Sequence, residues 1–164
     1  TLLQNGTLPH ALLFIGIEGV GKRTAAMAMA MACNCKAMEP EHFSERMRIR
    51  SDGNIPSDQI KTINPCGRCN SCRKIKSGNH PDIIVIHPSG PFIRIGQIRK
   101  LCSTLAMKPY EARFRVVIIS DAQTMNPSAG NALLKMLEEP PDRTILILTA
   151  LQTSDLLHTI VSRC

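Results

Sequence analysis

Four short apolar runs punctuate the chain. Ala11-Leu12-Leu13-Phe14-Ile15 ends at Gly16, and Ile83-Ile84-Val85-Ile86 stands alone near the middle. Val116-Val117-Ile118-Ile119 lies within Arg115 to Ser120, and Ile145-Leu146-Ile147-Leu148 lies between Thr144 and Thr149. Brief apolar runs bounded by turn residues predict buried strands. Between them the spacing changes. Ile95, Ile98, Leu101, Cys102 and Leu105 recur at helical intervals. Lys22 to Ala32 alternates Ala and Met, a period of two. Both residues form helices well and strands poorly, so the segment is predicted to be a helix. Asn126-Pro127 offers an N-cap and a proline at the first helical position, and Pro140-Pro141 stops a helix reaching about Glu138. Near-continuous apolar strands alternating with helices predict an α/β fold with a mostly parallel sheet.

From Lys36 to Pro65 the pattern collapses into charges, Ser, Asn, Gly and Pro, which reads as a mobile insert. Cys66, Cys69 and Cys72 follow at regular spacing and put three thiolates in one small loop. Zinc takes four such ligands in a tetrahedron, and Cys33, Cys35, His42 and His80 are candidates for the fourth. With no open position or general base evident, a closed structural site is expected. Seven cysteines and no export signal favour metal over disulfides. Arg68, Arg73, Lys74 and Lys76 read as a solvated basic face, and Cys102 as core.

Gly16-Ile17-Glu18-Gly19-Val20-Gly21-Lys22 follows a predicted strand and opens a predicted helix. This is the context of a phosphate-binding loop, in which backbone N–H groups, the helix N-terminus and Lys22 converge on phosphate oxygens. Two positions break the pattern for hydrolysis. The residue after the lysine should be Ser or Thr to hold magnesium, but is Arg23. Thr24 comes one place late and is expected to face elsewhere. Asp121 stands where a strand-end carboxylate would approach magnesium, or else caps the turn. Ala122 stands where a water-activating Glu would follow. Nucleotide binding stays open, and hydrolysis by the chain alone is not expected.

Length and composition narrow the setting. The chain has 164 residues, enough for one domain or one domain plus a small insert. Its 43% apolar and 20% charged residues exclude wholesale disorder. Aromatics at 3% argue against a stacking platform for single-stranded nucleic acid. A net charge of +7 permits an anionic partner. No apolar run approaches the ~18 residues of a membrane helix, and no signal-peptide pattern opens the chain. Beginning at Thr1 and ending at Cys164, it reads as a piece of a longer, cytoplasmic protein.

Several strings together resemble the first domain of bacterial clamp-loader subunits of the AAA+ class, above all the delta-prime subunits of DNA polymerase III. They are Pro9-His10-Ala11, the loop Gly16 to Lys22, the cysteine cluster, His80-Pro81-Asp82, Asn131-Ala132-Leu133-Leu134-Lys135-Met136-Leu137-Glu138-Glu139-Pro140-Pro141, and Ser162-Arg163-Cys164. The resemblance implies a three-layer AAA+ core, like that of P-loop NTPases, over residues 1–164, with a zinc-binding insertion at 35–80. It selects Cys35, in its Asn-Cys context, as the fourth zinc ligand beside Cys66, Cys69 and Cys72. It implies a degraded nucleotide site at Gly16, Gly19, Gly21, Lys22 and Asp121, where ATP would bind if it binds at all. It implies that Arg163 acts as an arginine finger in trans, set against the ATP of a neighbouring gamma/tau subunit. The implied partners are gamma/tau and delta subunits, with the sliding clamp and primed DNA handled by the assembly. Thr149 reads as strand-end packing, His10 as a shaper of the loop, and Lys135, Glu138 and Glu139 as local helix pairing. Two other functions compete: a gamma/tau-like ATPase in which Glu18 or Thr24 fills the missing roles, and a zinc-ribbon nucleic-acid module.

Overall fold

The computed structural model describes residues 9–38 and 64–164. Most of the predicted Lys36 to Pro65 insert therefore lies outside the described residues. The chain divides into two compact units, one holding Thr1–Ala26 and Pro81–Cys164, the other Met27–His80.

The first unit is built on four parallel strands, β1 (Ala11–Ile15), β2 (Ile83–Ile86), β3 (Arg115–Ile119) and β4 (Thr144–Ala150). Their order across the sheet is β1-β4-β3-β2, with Ala11 opposite Leu146 and Val116 opposite Ile145. Every residue of β3 and β4 is buried. Val117, Ile119, Leu146 and Leu148 join one core cluster with residues of two helices, α3 (Ile95–Leu105) and α4 (Pro127–Glu138). From α3 come Ile98, Leu101 and Leu105; from α4 come Leu133, Met136 and Leu137. The alternate residues Val116, Ile118, Ile145 and Ile147 point to the other face and are equally buried. Burial on both faces is why these strands read as continuous apolar runs. Each such side chain contributes about 1.5–3 kcal/mol by leaving water.

α4 starts where the sequence says it should. The Asn126 side chain accepts a hydrogen bond from the Ala129 N–H at 2.8 Å, with Pro127 at the first helical position. Asn126→Ala is expected to lower the unfolding free energy by about 1 kcal/mol in urea titration.

One polar clasp lies within this apolar unit. Asp82 is 1% exposed and Arg115 4% exposed. The Asp82 carboxylate accepts from the N–H groups of Tyr110, Glu111 and Ala112 at 2.7–2.8 Å. Arg115 donates to the carbonyls of Thr104, Met107 and Lys108 at 2.7–3.0 Å and lies 3.5 Å from Asp82. Two side chains thus satisfy six backbone groups at the end of α3 and in its connection to β3. Burial disfavours the Asp82 charge, but the three N–H bonds and the guanidinium outweigh it and hold its carboxyl below the usual range. His80-Pro81-Asp82, seen in the sequence only as part of a resemblance, gains in Asp82 a structural task.

The second unit holds most of helix α1 (Lys22–Asn34), which begins in the first unit, and helix α2 (Asn70–Lys76). Its buried side chains include Ala30, Cys33, Cys35, Cys72 and Ile75. Helix α5 (His158–Val161) and three short 3-10 helices complete the described elements. Among the described residues no helix is long and apolar enough to cross a membrane.

Candidate functional site

The glycine loop joins β1 to α1. Gly19 and Gly21 have φ of 79° and 95°, a region costly for any residue with a side chain. Lys22 folds back along the loop, its ammonium donating to the carbonyls of Gly16 at 2.6 Å and Ile17 at 2.9 Å. An ammonium has three N–H groups, so one is left for another acceptor. Beside the loop lies a cavity of about 310 Å³. Gly19, Gly21, Lys22, Arg23 and Thr24 border it, and so do Ser120, Asp121 and Thr149 from the ends of β3 and β4. Open parallel sheets bind ligands at this carboxyl edge of their strands.

Of the five residues grouped from the sequence, Gly19, Gly21, Lys22 and Asp121 border the cavity, while Gly16 is not among its lining and holds the Lys22 ammonium through its carbonyl. Thr24, expected to face elsewhere, borders the same cavity. Asp121 is exposed, with a left-handed φ of 55°, and its N–H donates to Thr149 Oγ1 at 3.1 Å. Thr149 therefore ties the ends of β3 and β4 together rather than merely packing. Ala122 is 1% exposed within the apolar core, a place hostile to the glutamate that hydrolysis would need. The residue passed over is Ser120. It is buried at the β3 end, borders the cavity, and its Oγ has no hydrogen-bond partner among the described residues. The sequence marks Ser120 only as the first polar position after the run ending at Ile119.

The second constellation is Cys35, Cys66, Cys69 and Cys72, whose sulfurs all lie within 4.8 Å of one another. A tetrahedron with zinc–sulfur bonds of about 2.3 Å has edges of about 3.8 Å, so the four residues fit a zinc ion with small adjustment. Of the four candidates for the last ligand, Cys35 joins the cluster. Cys33 and His80 are buried elsewhere in the unit, His80 with its ring 3.4 Å from Ser71 Oγ. His42 lies outside the described residues. Backbone N–H groups run through the cluster: Cys66 donates to Cys35 Sγ at 3.3 Å, Cys69 to Cys66 Sγ at 3.3 Å, and Cys72 to Cys69 Sγ at 3.5 Å. Backbone N–H bonds from Arg68 and Cys69 bring the Cys66 thiol down to about 6. At Cys69 burial opposes the thiolate, but hydrogen bonds prevail and lower it. Burial pushes the Cys72 thiol up. Four cysteine sulfurs at this spacing are a donor set suited to zinc.

Arg163 follows α5. It donates to the Thr159 carbonyl at 2.9 Å and pairs with Glu138 of α4 at 2.8 Å. Its side chain is about a third exposed. Three of its five N–H groups remain available. Glu138, read in the sequence as local helix pairing, instead meets a residue from another element.

A glycine loop between a parallel strand and a helix N-terminus, facing the carboxyl edge of the sheet, defines a P-loop α/β fold. A gamma subunit-related protein of DNA polymerase III from Thermotoga maritima shares this fold, with a TM-score of 0.60 and 23% identity over 98% of this chain and 41% of its own. More specifically, residues 54–164 match the family described as DNA polymerase III, delta subunit, and the chain belongs to that family. It is 35% identical to subunit delta' of DNA polymerase III from Bacillus subtilis over 99% of this chain. It is 32% identical to subunit tau/gamma from Haemophilus influenzae, again over 99% of this chain. The chain spans 42% of the first relative and 20% of the second.

Proposed function

We propose that the chain is the opening part of a clamp-loader subunit that does not hydrolyse ATP itself. In this reading it presents Arg163 to the ATP site of a neighbouring gamma/tau subunit while a sliding clamp is loaded onto primed DNA in the cytoplasm. Residues 1–164 form its AAA+ core, and 35–80 form a zinc-binding insertion whose metal is structural. Gamma/tau and delta subunits are its partners. The observation that carries the reading is Arg23 where the magnesium-holding hydroxyl would stand and buried Ala122 where a water-activating Glu would follow Asp121. Membership of a polymerase III subunit family supports the assembly, and the loop residues Gly16, Gly19, Gly21 and Lys22 with Asp121 after β3 are its degraded nucleotide site.

Arg163 is suited to the role by charge and donors. A guanidinium presents a rigid fork of N–H groups that stabilises charge developing on a transferring phosphoryl group. The test uses the full-length protein. Alone it is expected to turn ATP over no faster than a Lys22→Ala variant. Reassembled with its gamma/tau and delta partners, Arg163→Ala is expected to slow hydrolysis at the adjoining site by roughly 100-fold or more, with ATP binding there retained. Turnover by the isolated protein that vanishes in Lys22→Ala would instead favour the ATPase reading, in which Thr24, at the cavity edge, supplies the hydroxyl.

A further inference from the structure

The first turn of α1 carries an unusual charge pattern. Lys22 and Arg23 occupy its first two positions, and no acidic residue stands in that turn. Cations there face the positive end of the helix dipole, an unfavourable placement that a bound anion reverses. Arg23 is exposed and forms no hydrogen bond or ion pair among the described residues. Across the same cavity sits Ser120, 5% exposed, its Oγ unpartnered. A buried hydroxyl without a partner is costly, and this one borders space that a ligand can enter.

In a magnesium-using loop the ion is held by the hydroxyl after the lysine and by a strand-end carboxylate. Here the first position is Arg23 and the buried strand-end residue is Ser120. The usual dication with one carboxylate brings a net charge of +1 to the phosphates. Arg23 supplies one positive charge from the protein itself, part of it offset by Asp121 and Glu18 at the cavity wall. We propose that this pocket binds the phosphate chain of a nucleoside di- or triphosphate without a divalent cation. The Arg23 guanidinium takes the place of the ion and engages phosphate oxygens with parallel N–H bonds. Ser120 Oγ donates a further hydrogen bond, and Lys22 contributes the N–H its loop carbonyls leave free. Glu18 and Asp121, also on the cavity wall, oppose the anion and hold the affinity down. Binding then stabilises the loop and leads to no chemistry. The inference does not depend on Arg163, so either idea can fail alone.

Calorimetric titration of the full-length protein tests it, with ADP, ATP and inorganic pyrophosphate as probes. The buffer is freed of divalent cations without a chelator, and retention of zinc is verified. The expected result is binding of all three, with affinity changing less than roughly threefold when magnesium is added. Arg23→Ala should weaken binding at least tenfold while melting like the parent in the absence of ligand, and Arg23→Lys should recover part of the loss. Arg23→Ser combined with Ser120→Asp should make binding depend on magnesium. The proposal is overturned if none of the probes binds without magnesium, or if Arg23→Ala binds as tightly as the parent.

Discussion

Asp82→Ala is expected to destabilise the protein by about 3–5 kcal/mol, read as a fall in the urea midpoint at unchanged slope. Removing the carboxylate strands a buried guanidinium and leaves the N–H groups of Tyr110, Glu111 and Ala112 without their acceptor. Arg115 already carries one buried Nε with no partner, so it has little scope to find others. Arg115→Met should cost less than Asp82→Ala, because it retains apolar bulk and Asp82 keeps its three N–H donors. Equal losses would mean that the contact between the two charges, rather than their bonds to the loop, dominates. The same arrangement fixes a pH dependence. The Asp82 carboxyl titrates lower in the folded protein than in the unfolded chain. Its contribution is therefore fully present above the ordinary carboxylate value of about 3.9 and is lost as pH falls through the lower folded value. In Asp82→Ala this component of acid unfolding should be absent.

Cys72→Ser, or extraction of zinc, is expected to have the other large effect. Structural zinc in small modules supplies an apparent 10–16 kcal/mol, and a hydroxyl is a poor substitute for a thiolate. The parent should bind one zinc per chain and Cys72→Ser much less, measured by metal analysis after dialysis. Amide exchange should lose protection across Cys66 to Lys76 and keep it in β3 and β4. A Cys72→Ser protein with parental zinc content and parental exchange would show that these sulfurs are neighbours without being ligands. Zinc must displace the proton that burial holds on Cys72, so its affinity should rise with pH.

How much was legible depended on the range of the interaction. Each of the four strands was marked by its own run of Val, Ile and Leu, and their alternation with helices specified a parallel sheet. The N-cap at Asn126 was equally local. α2 was not seen, since seven residues with three cations and two buried side chains carry too little periodicity. α5, with four residues, carries still less. At the candidate site the glycine loop and three of the four cysteines were visible, because their spacing is itself the signal. Cys35 needed a resemblance, since 30 residues separate it from Cys66. The pairs Asp82–Arg115 and Glu138–Arg163 were invisible, because nothing in either residue's neighbourhood announces a partner far along the chain. Ser120 was not legible for another reason: beside a carboxylate a lone serine carries no pattern, and only its burial singles out the hydroxyl.

The strand order has a consequence for synthesis. Among the described strands β1 pairs only with β4, so Ala11 meets its partner Leu146 only after all the residues between them have been made. On the ribosome, Ala-Leu-Leu-Phe-Ile emerges early and waits as an unpaired apolar edge while the rest is translated. Nascent chains arrested before Thr144 should thus be far stickier, and engage chaperones more, than chains arrested after Cys164. The glycine loop, hung between β1 and α1, therefore waits for β4 before its anchoring strand is paired.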